Sequence, residues 1–352
     1  MARFWVAAAA FGLALGVLTA APAGAFDRGD ARVLAVLPDA TPGHPSSVEG
    51  LTVGPDGNIY VPTFGFNAAG ALSGNAVLYV IRPNGTLVRQ VTIAGSSPHM
   101  LGLRFNPLNG WLLVLDFGAG KILRVDPVTG VSTTLFTAPA GAGLNALTFD
   151  KLGNAYVSDS FLGVIYKMGP TGGPVSTWSS DPLLGAGTGL TPPFGANGVE
   201  FNNAGTVMYV ANTAFHQIIQ IPVNPNGSAG TASIFITGIN APDGIAVDEH
   251  DNLWVCANQE DDIIVLDKTG KVIAKRGDFD GIDEDGVVRG LLFPASPAFS
   301  LDRKTLYVSN LTLYLPYAGA QKAVDSDWTL KAKHYTVSKI PAMIPPFDDD
   351  GH

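Results

Sequence analysis

A short unit recurs six times along this 352-residue chain, and the spacing of its copies narrows the possible folds more than any other feature. The clearest copies are Glu49-Gly50-Leu51-Thr52-Val53, Asn145-Ala146-Leu147-Thr148-Phe149, Asn197-Gly198-Val199-Glu200-Phe201 and Asp243-Gly244-Ile245-Ala246-Val247. Each precedes a polar turn and a second apolar run, as in "GPDGNIYVPT" and "DEHDNLWVCAN". Two weaker copies begin at Leu101 and Ala295, so the period alternates between about 45 and 52 residues. Repeats of this length mark solenoids, propellers or arrays. Most copies carry a third run (76–83, 121–127, 163–170, 217–223, 262–267), then a turn such as Pro83-Asn84-Gly85 and an edge strand. Four antiparallel strands per unit make a propeller blade.

No segment sustains a 3.6-residue apolar period, which argues against a parallel α/β sheet. The 42 glycines, 25 prolines and 14% charged residues suit short strands joined by tight turns. The expectation is an all-β, six-bladed β-propeller of four-stranded antiparallel blades, forming a single domain over 26–345. The sixth unit is short of strands, since only "HYTVSKI" (334–340) follows its second. A spare strand stands at 31–37. It is expected to be the outer strand of the last blade, closing the ring and removing an open edge.

The start of the chain has a different character. Met1-Ala2-Arg3 leads an apolar run from Phe4 to Ala20, and Ala21-Pro22-Ala23-Gly24-Ala25 ends in small residues. That pattern predicts a secretory signal peptide over 1–25, cleaved after Ala25, and a secreted or periplasmic protein. An uncleaved membrane anchor is the alternative; no other stretch is long and apolar enough to span a bilayer. The tail 346–352 is expected to be disordered. The formal net charge is −9, with no basic stripe, so a phosphate backbone would be repelled and nucleic acid is excluded as a partner. The single cysteine, Cys256, cannot form an internal disulfide and lies within an apolar run, as a buried strand residue would.

In a propeller the innermost strands run the same way along a central channel, so their leading residues ring one mouth. That ring consists of Glu49, Leu101, Asn145, Asn197, Asp243 and Ala295. Two anions converging on one axis repel unless a positive charge intervenes. Two carboxylates and two carboxamides, completed by water, suit one hard divalent cation such as Ca²⁺. The other reading is that Asn or Asp before Gly forms ordinary turns and caps a water-filled channel.

The repeats resemble those of the superfamily joining senescence marker protein (regucalcin), gluconolactonase and luciferin-regenerating enzyme. The most specific pieces are "EG" at 49–50, "NG" at 197–198, "PDG" at 242–244, and Asn145. The resemblance spans nearly the whole chain after residue 25. It implies that Glu49, Asn197 and Asp243 hold one divalent metal, that Asn145 contacts metal or substrate, and that a lactone or related ester is hydrolysed. Sugar lactonases of this group usually carry Arg-x-Asn-Asp at the third repeat. This chain has Gly143-Leu144-Asn145-Ala146, without the arginine that would grip sugar hydroxyls, so a more apolar lactone or ester is expected.

For such a hydrolase, Asp243 is the candidate to take a proton from water. Asn145 and Asn197 would orient the substrate and stabilise the developing oxyanion. His99, in "SSPHML", is a second candidate base, the other reading being a loop histidine hydrogen-bonded to backbone; His216 is a weaker candidate. The acidic run Asp278–Gly286 lacks EF-hand spacing and is expected to be a solvated loop over one face. The protein is expected to be a monomer acting on a small lactone or ester. The alternative is a non-catalytic repeat propeller binding a protein or small-molecule partner, and a lyase on the same scaffold is a third reading.

Overall fold

Each sequence repeat forms one four-stranded antiparallel sheet, and the computed structural model arranges six such blades in a ring. It describes residues 31–67, 69–187 and 193–343; the expected signal peptide 1–25 and tail 346–352 lie outside the described residues. The inner strands of blades 1 to 6 are Thr52–Val53, Met100–Phe105, Leu144–Phe149, Ala196–Phe201, Pro242–Val247 and Pro294–Phe299. Second strands such as Leu112–Asp116, Ala155–Asp159 and Leu253–Ala257 are buried at every position, because neighbouring blades cover both of their faces. Fourth strands such as Ser132–Thr137 hold only half-buried and exposed residues, as edges should.

Blade 6 combines both ends of the described chain. Its outermost strand, Arg32–Val36, runs antiparallel to Thr336–Pro341, from Arg32 opposite Lys339 to Val36 opposite Thr336. Among the described residues no helix is long and apolar enough to cross a membrane.

A lock recurs in the turns between first and second strands. Asp56, Asp150 and Asp248 each accept a bond from a nearby asparagine amide and from an aromatic donor on the second strand. Those donors are Tyr60 Oη at 2.8 Å, Tyr156 Oη at 3.2 Å and Trp254 Nε1 at 3.1 Å. The aspartate replaces an unmade backbone partner and fixes the turn.

Each of the six ring residues sits on a β-bulge at the start of its inner strand. Met100 pairs with Asp116 and Leu103 with Val114, so Leu101 and Gly102 together face the single residue Leu115. The same two-against-one register recurs at 145–146, 197–198, 243–244 and 295–296. In blade 1, Val48 opposite Thr63 and Thr52 opposite Tyr60 set three residues, Glu49 to Leu51, against two, again one extra. A bulge leaves its extra residue out of the ladder and re-aims the side chain. An aspartate at 243 therefore weakens no strand pairing.

The glycines after these residues are not turn glycines. A Cβ on Gly198 would lie 2.2 Å from the Asp243 carbonyl oxygen, and one on Gly244 would lie 2.4 Å from that of Ala295. Adjacent inner strands meet backbone to backbone, and only hydrogen fits between them. Gly198→Ala is expected to cost about 2–3 kcal/mol through overpacking. A urea titration checks this: the midpoint falls while the slope holds.

The acidic run departs from the expected solvated loop. Phe279–Ile282 pairs with Val288–Gly290 as a hairpin, and Arg289 Nη2 meets Asp283 Oδ2 at 2.6 Å. Phe279, Ile282 and Val288 pack with Leu292, Phe293 and Leu311. These apolar residues, interleaved with the acids, supply the buried face that folds the segment.

Candidate metal centre and its apolar cup

The bulges gather Glu49, Asn145, Asn197 and Asp243 at the floor of one cavity of about 280 Å³. All four are buried, at 4–6% exposure. Leu101 lies beside them, while Ala295, fully buried, is not among the lining residues.

A second set of residues orients the floor. Each immediately follows the second strand of its blade. Ser160 Oγ donates to the Ala196 carbonyl at 2.7 Å, so it must accept from Asn145 Nδ2, at 3.0 Å. Thr213 Oγ1 donates to the Pro242 carbonyl at 2.7 Å and accepts from Asn197 Nδ2 at 3.0 Å. Asn258 Nδ2 donates to Asp243 Oδ2 at 3.1 Å and to the Pro294 carbonyl at 3.2 Å. Hydroxyls that have donated their only proton fix which end of an amide faces them. Asn145 thus turns its oxygen, not its N–H, into the cavity. That corrects its expected part as an oxyanion donor: Asn145 Nδ2 is turned to Ser160 and its oxygen to the cavity.

At this floor three buried oxygens are left without a hydrogen-bond partner: Glu49 Oε2, Asn145 Oδ1 and Asp243 Oδ1. Burial, and then the charge of Asp243, push the Glu49 carboxyl well above the usual carboxylate range. Burial pushes Asp243 up to about 8, against bonds from Asn197 and Asn258 that pull it down. Buried carboxylates without partners are costly, and a cation removes that cost. Oxygen-only donors carrying two formal charges fit a hard divalent ion. Among the described residues no three His, Cys, Asp or Glu side chains cluster, so no nitrogen- or sulfur-rich set competes.

His99 is not part of this floor. Its Nδ1 donates to the Phe64 carbonyl at 2.7 Å, and its ring stacks on Phe66 with centroids 4.6 Å apart. It stands behind the cavity wall and holds two phenylalanines in place, which corrects its expected part as a base. His216 has left-handed backbone, φ 55°, and its Nδ1 accepts from the Ala241 amide at 2.9 Å, a structural bond. Cys256 is buried opposite the 243–244 bulge, and burial holds its thiol protonated.

The walls went unseen in the sequence. Phe64, Phe66, Phe117, Phe161 and Phe194 line one side, and Leu311, Leu313 and Leu315 another. Consecutive rings touch: Phe64 to Phe117 at 6.0 Å, Phe117 to Phe161 at 5.5 Å, Phe161 to Phe194 at 5.6 Å. The signal was present as a fixed offset. Residues 15 or 16 positions after each ring residue are Phe64, Phe117, Ser160, Thr213, Asn258 and Leu311.

The far mouth of the channel differs. Arg104 Nη1 pairs with Glu200 Oε2, and Thr148 Oγ1 donates to Glu200 Oε1 at 2.6 Å, joining blades 2, 3 and 4. No ring oxygen lies among the residues lining that end.

Comparison with known proteins agrees with this architecture. The family model for the SMP-30/Gluconolactonase/LRE-like region matches residues 98–277. Lactonase drp35 of Staphylococcus epidermidis is 25% identical over 238 residues, 53% of this chain and 71% of its own. The crystal structure of a calcium-binding protein, regucalcin, from Agrobacterium tumefaciens superposes with a TM-score of 0.60 at 20% identity, covering 89% of this chain and 93% of that one. A gluconolactonase from Xanthomonas campestris gives 0.59 at 15% identity, covering 92% and 99%. These structural likenesses establish a shared propeller. With the family model spanning half its length, the chain belongs to the SMP-30/gluconolactonase/LRE-like family.

Proposed function

We propose that this protein is a lactone hydrolase that depends on one divalent cation, calcium, held by Glu49, Asn145, Asn197 and Asp243. The observation that carries the reading is the set of three unsatisfied oxygens, from blades 1, 3 and 5, buried at one cavity floor. Membership of a lactonase-containing family and the likeness to a named lactonase support the reaction class. A propeller that only docks partners has no use for three such oxygens converging from separate blades on one cavity floor.

When bound, the cation supplies Lewis-acid polarisation of the lactone carbonyl and lowers the pKa of water. The chain's own residues do the rest. Asn258 fixes Asp243 Oδ2, which leaves Oδ1 turned to the cavity as the oxygen that takes a proton from the attacking water. Ser160 and Thr213 hold the two amides so that neither rotates when substrate enters. The phenylalanine wall displaces water from around the reacting ester and strengthens electrostatic effects there.

The test is a metal analysis of the purified protein after dialysis against trace calcium, with a lactone screen beside it. About one equivalent of cation is expected, with hydrolysis lost in chelator and restored by calcium. A metal-free protein would overturn the reading. Asn258→Leu is expected to weaken calcium about 10- to 100-fold while the fold persists, the usual loss when a ligand's orienting partner goes; calorimetric titration checks it. The proposal includes export, supported by the Arg3-led apolar run and the small residues at 23–25. N-terminal sequencing of protein recovered outside the cytoplasm should begin at Phe26.

A further inference from the structure

We infer that the lactone accepted here is compact and apolar away from its ester group, carrying alkyl or aryl substituents rather than hydroxyls. This inference rests on the lactonase reading above. It comes from how the cavity divides rather than from its size.

The position 15 or 16 residues after each ring residue, taken round the ring, is polar in blades 3 to 5 and apolar in blades 6, 1 and 2. The polar half is Ser160, Thr213 and Asn258; the apolar half is Leu311, Phe64 and Phe117. The ring residues beneath follow the same division, with amide or carboxylate oxygens in blades 3 to 5, Ala295 and Leu101 in blades 6 and 2, and Glu49 as the one exception. A ligand seated here has its ester over blades 3 to 5 and Glu49, and its remaining body over the apolar half.

The polar half has little left for a hydroxyl-rich body. Ser160 and Thr213 have donated their protons to backbone carbonyls, and Asn258 gives its amide to Asp243 and Pro294. The walls above are phenylalanine, leucine and alanine. Each hydroxyl pressed against them gives up water without a new partner, and an apolar pocket discriminates against one by up to about 100-fold. A body with three or four hydroxyls meets that loss several times over. The volume, about 280 Å³, stands at the small end of ligand pockets and limits the substituent to a compact one.

The experiment compares kcat/KM of the calcium-loaded protein on unsubstituted δ-valerolactone, its short-chain alkyl derivatives and glucono-δ-lactone. Alkyl derivatives should exceed the polyhydroxy lactone by at least 100-fold, with a fall once the chain outgrows the cup. Phe117→Ser and Leu311→Ser should each narrow that ratio about tenfold or more while calcium affinity, measured by titration, stays put. A polyhydroxy lactone turned over within tenfold of the alkyl series overturns the inference and leaves the hydrolase reading intact. In parallel, an alkyl δ-lactam and a polyhydroxy δ-lactam are titrated calorimetrically as non-hydrolysable probes. If no lactone is cleaved yet the alkyl lactam alone binds, the apolar ligand class stands and the hydrolase reading falls. If the alkyl lactam fails to bind, or the polyhydroxy one binds as well, the inference falls.

Discussion

Asp243→Asn is expected to lower kcat/KM at least 1,000-fold and to abolish calcium retention. In chelator, however, the variant should be more stable than the parent. The loss follows from removing one of the two charges at the floor and the proton acceptor together. The gain has a separate cause. Without a cation, Glu49 and Asp243 are buried anions that disfavour each other's ionisation, and both carboxyls are pushed up. The folded protein therefore holds protons that the unfolded chain releases in the ordinary carboxylate range. This contribution to stability is complete below the unfolded value near 4 and is lost as pH rises through about 8. An asparagine cannot ionise, so it carries no buried charge at that position. Chelated Asp243→Asn should exceed chelated wild type by about 1–3 kcal/mol at pH 8, with the gap closing toward pH 5. Calcium should stabilise wild type only, by about 2.7 kcal/mol when the free ion is 100 times the dissociation constant, and so raise its urea midpoint. Urea titrations at pH 5 and pH 8, with and without calcium, test both halves. A chelated variant weaker than wild type at pH 8 would show that the two carboxylates are satisfied in some other way.

Deleting residues 26–37 is expected to prevent recovery of a folded monomer. Strand Arg32–Val36 supplies the outer edge of blade 6, and its removal exposes the backbone groups of Thr336–Pro341. Leu34 and Leu37 are buried among Val61, Tyr79, Tyr335 and Val337. Ala31 is buried on the neighbouring side with Leu291 and Ile340. Leu37 N donates to the Tyr335 carbonyl at 2.9 Å, a bond lost with the strand pairing. Burying each leucine contributes about 1.5–3 kcal/mol. With the hydrogen bonds, the loss reaches about 5 kcal/mol or more, much of a domain's total stability. The exposed edge would then recruit other chains. Soluble yield and size-exclusion profile of 38–352 against 26–352 decide it. A monomer with an unchanged melting temperature would mean the strand adds nothing to closure.

The blades were legible because each repeat carries its own turn chemistry and two-residue period, and both are local. The ring was legible because six copies begin at a matched position, so Glu49, Asn145, Asn197 and Asp243 could be aligned without knowing their geometry. The bulge was not legible. A strand with one extra residue looks like a strand, and the glycines at 198 and 244 passed for turn residues when a close approach between blades required them. For His99 two readings stood open, because two residues of separation from Leu101 suggested the same mouth; the backbone-bonded one holds, with Nδ1 on the Phe64 carbonyl and the ring stacked on Phe66. The phenylalanine wall was hidden for a different reason. Phe64, Phe117 and Phe161 stand in loops, where apolar residues have no period to reveal them, and only the ring of blades makes them neighbours.

One consequence of the bulges reaches beyond this reaction. A residue excused from the ladder contributes nothing to holding its sheet together, so its identity is free to change without loosening the blade. All six inner strands present their leading side chain on such a socket, and in this protein Leu101 and Ala295 leave two of them chemically blank. Different residues set in the same six sockets would give an unaltered scaffold another ion, another charge balance or another substrate, which makes the mouth of the channel the part of the molecule that can be rewritten one residue at a time.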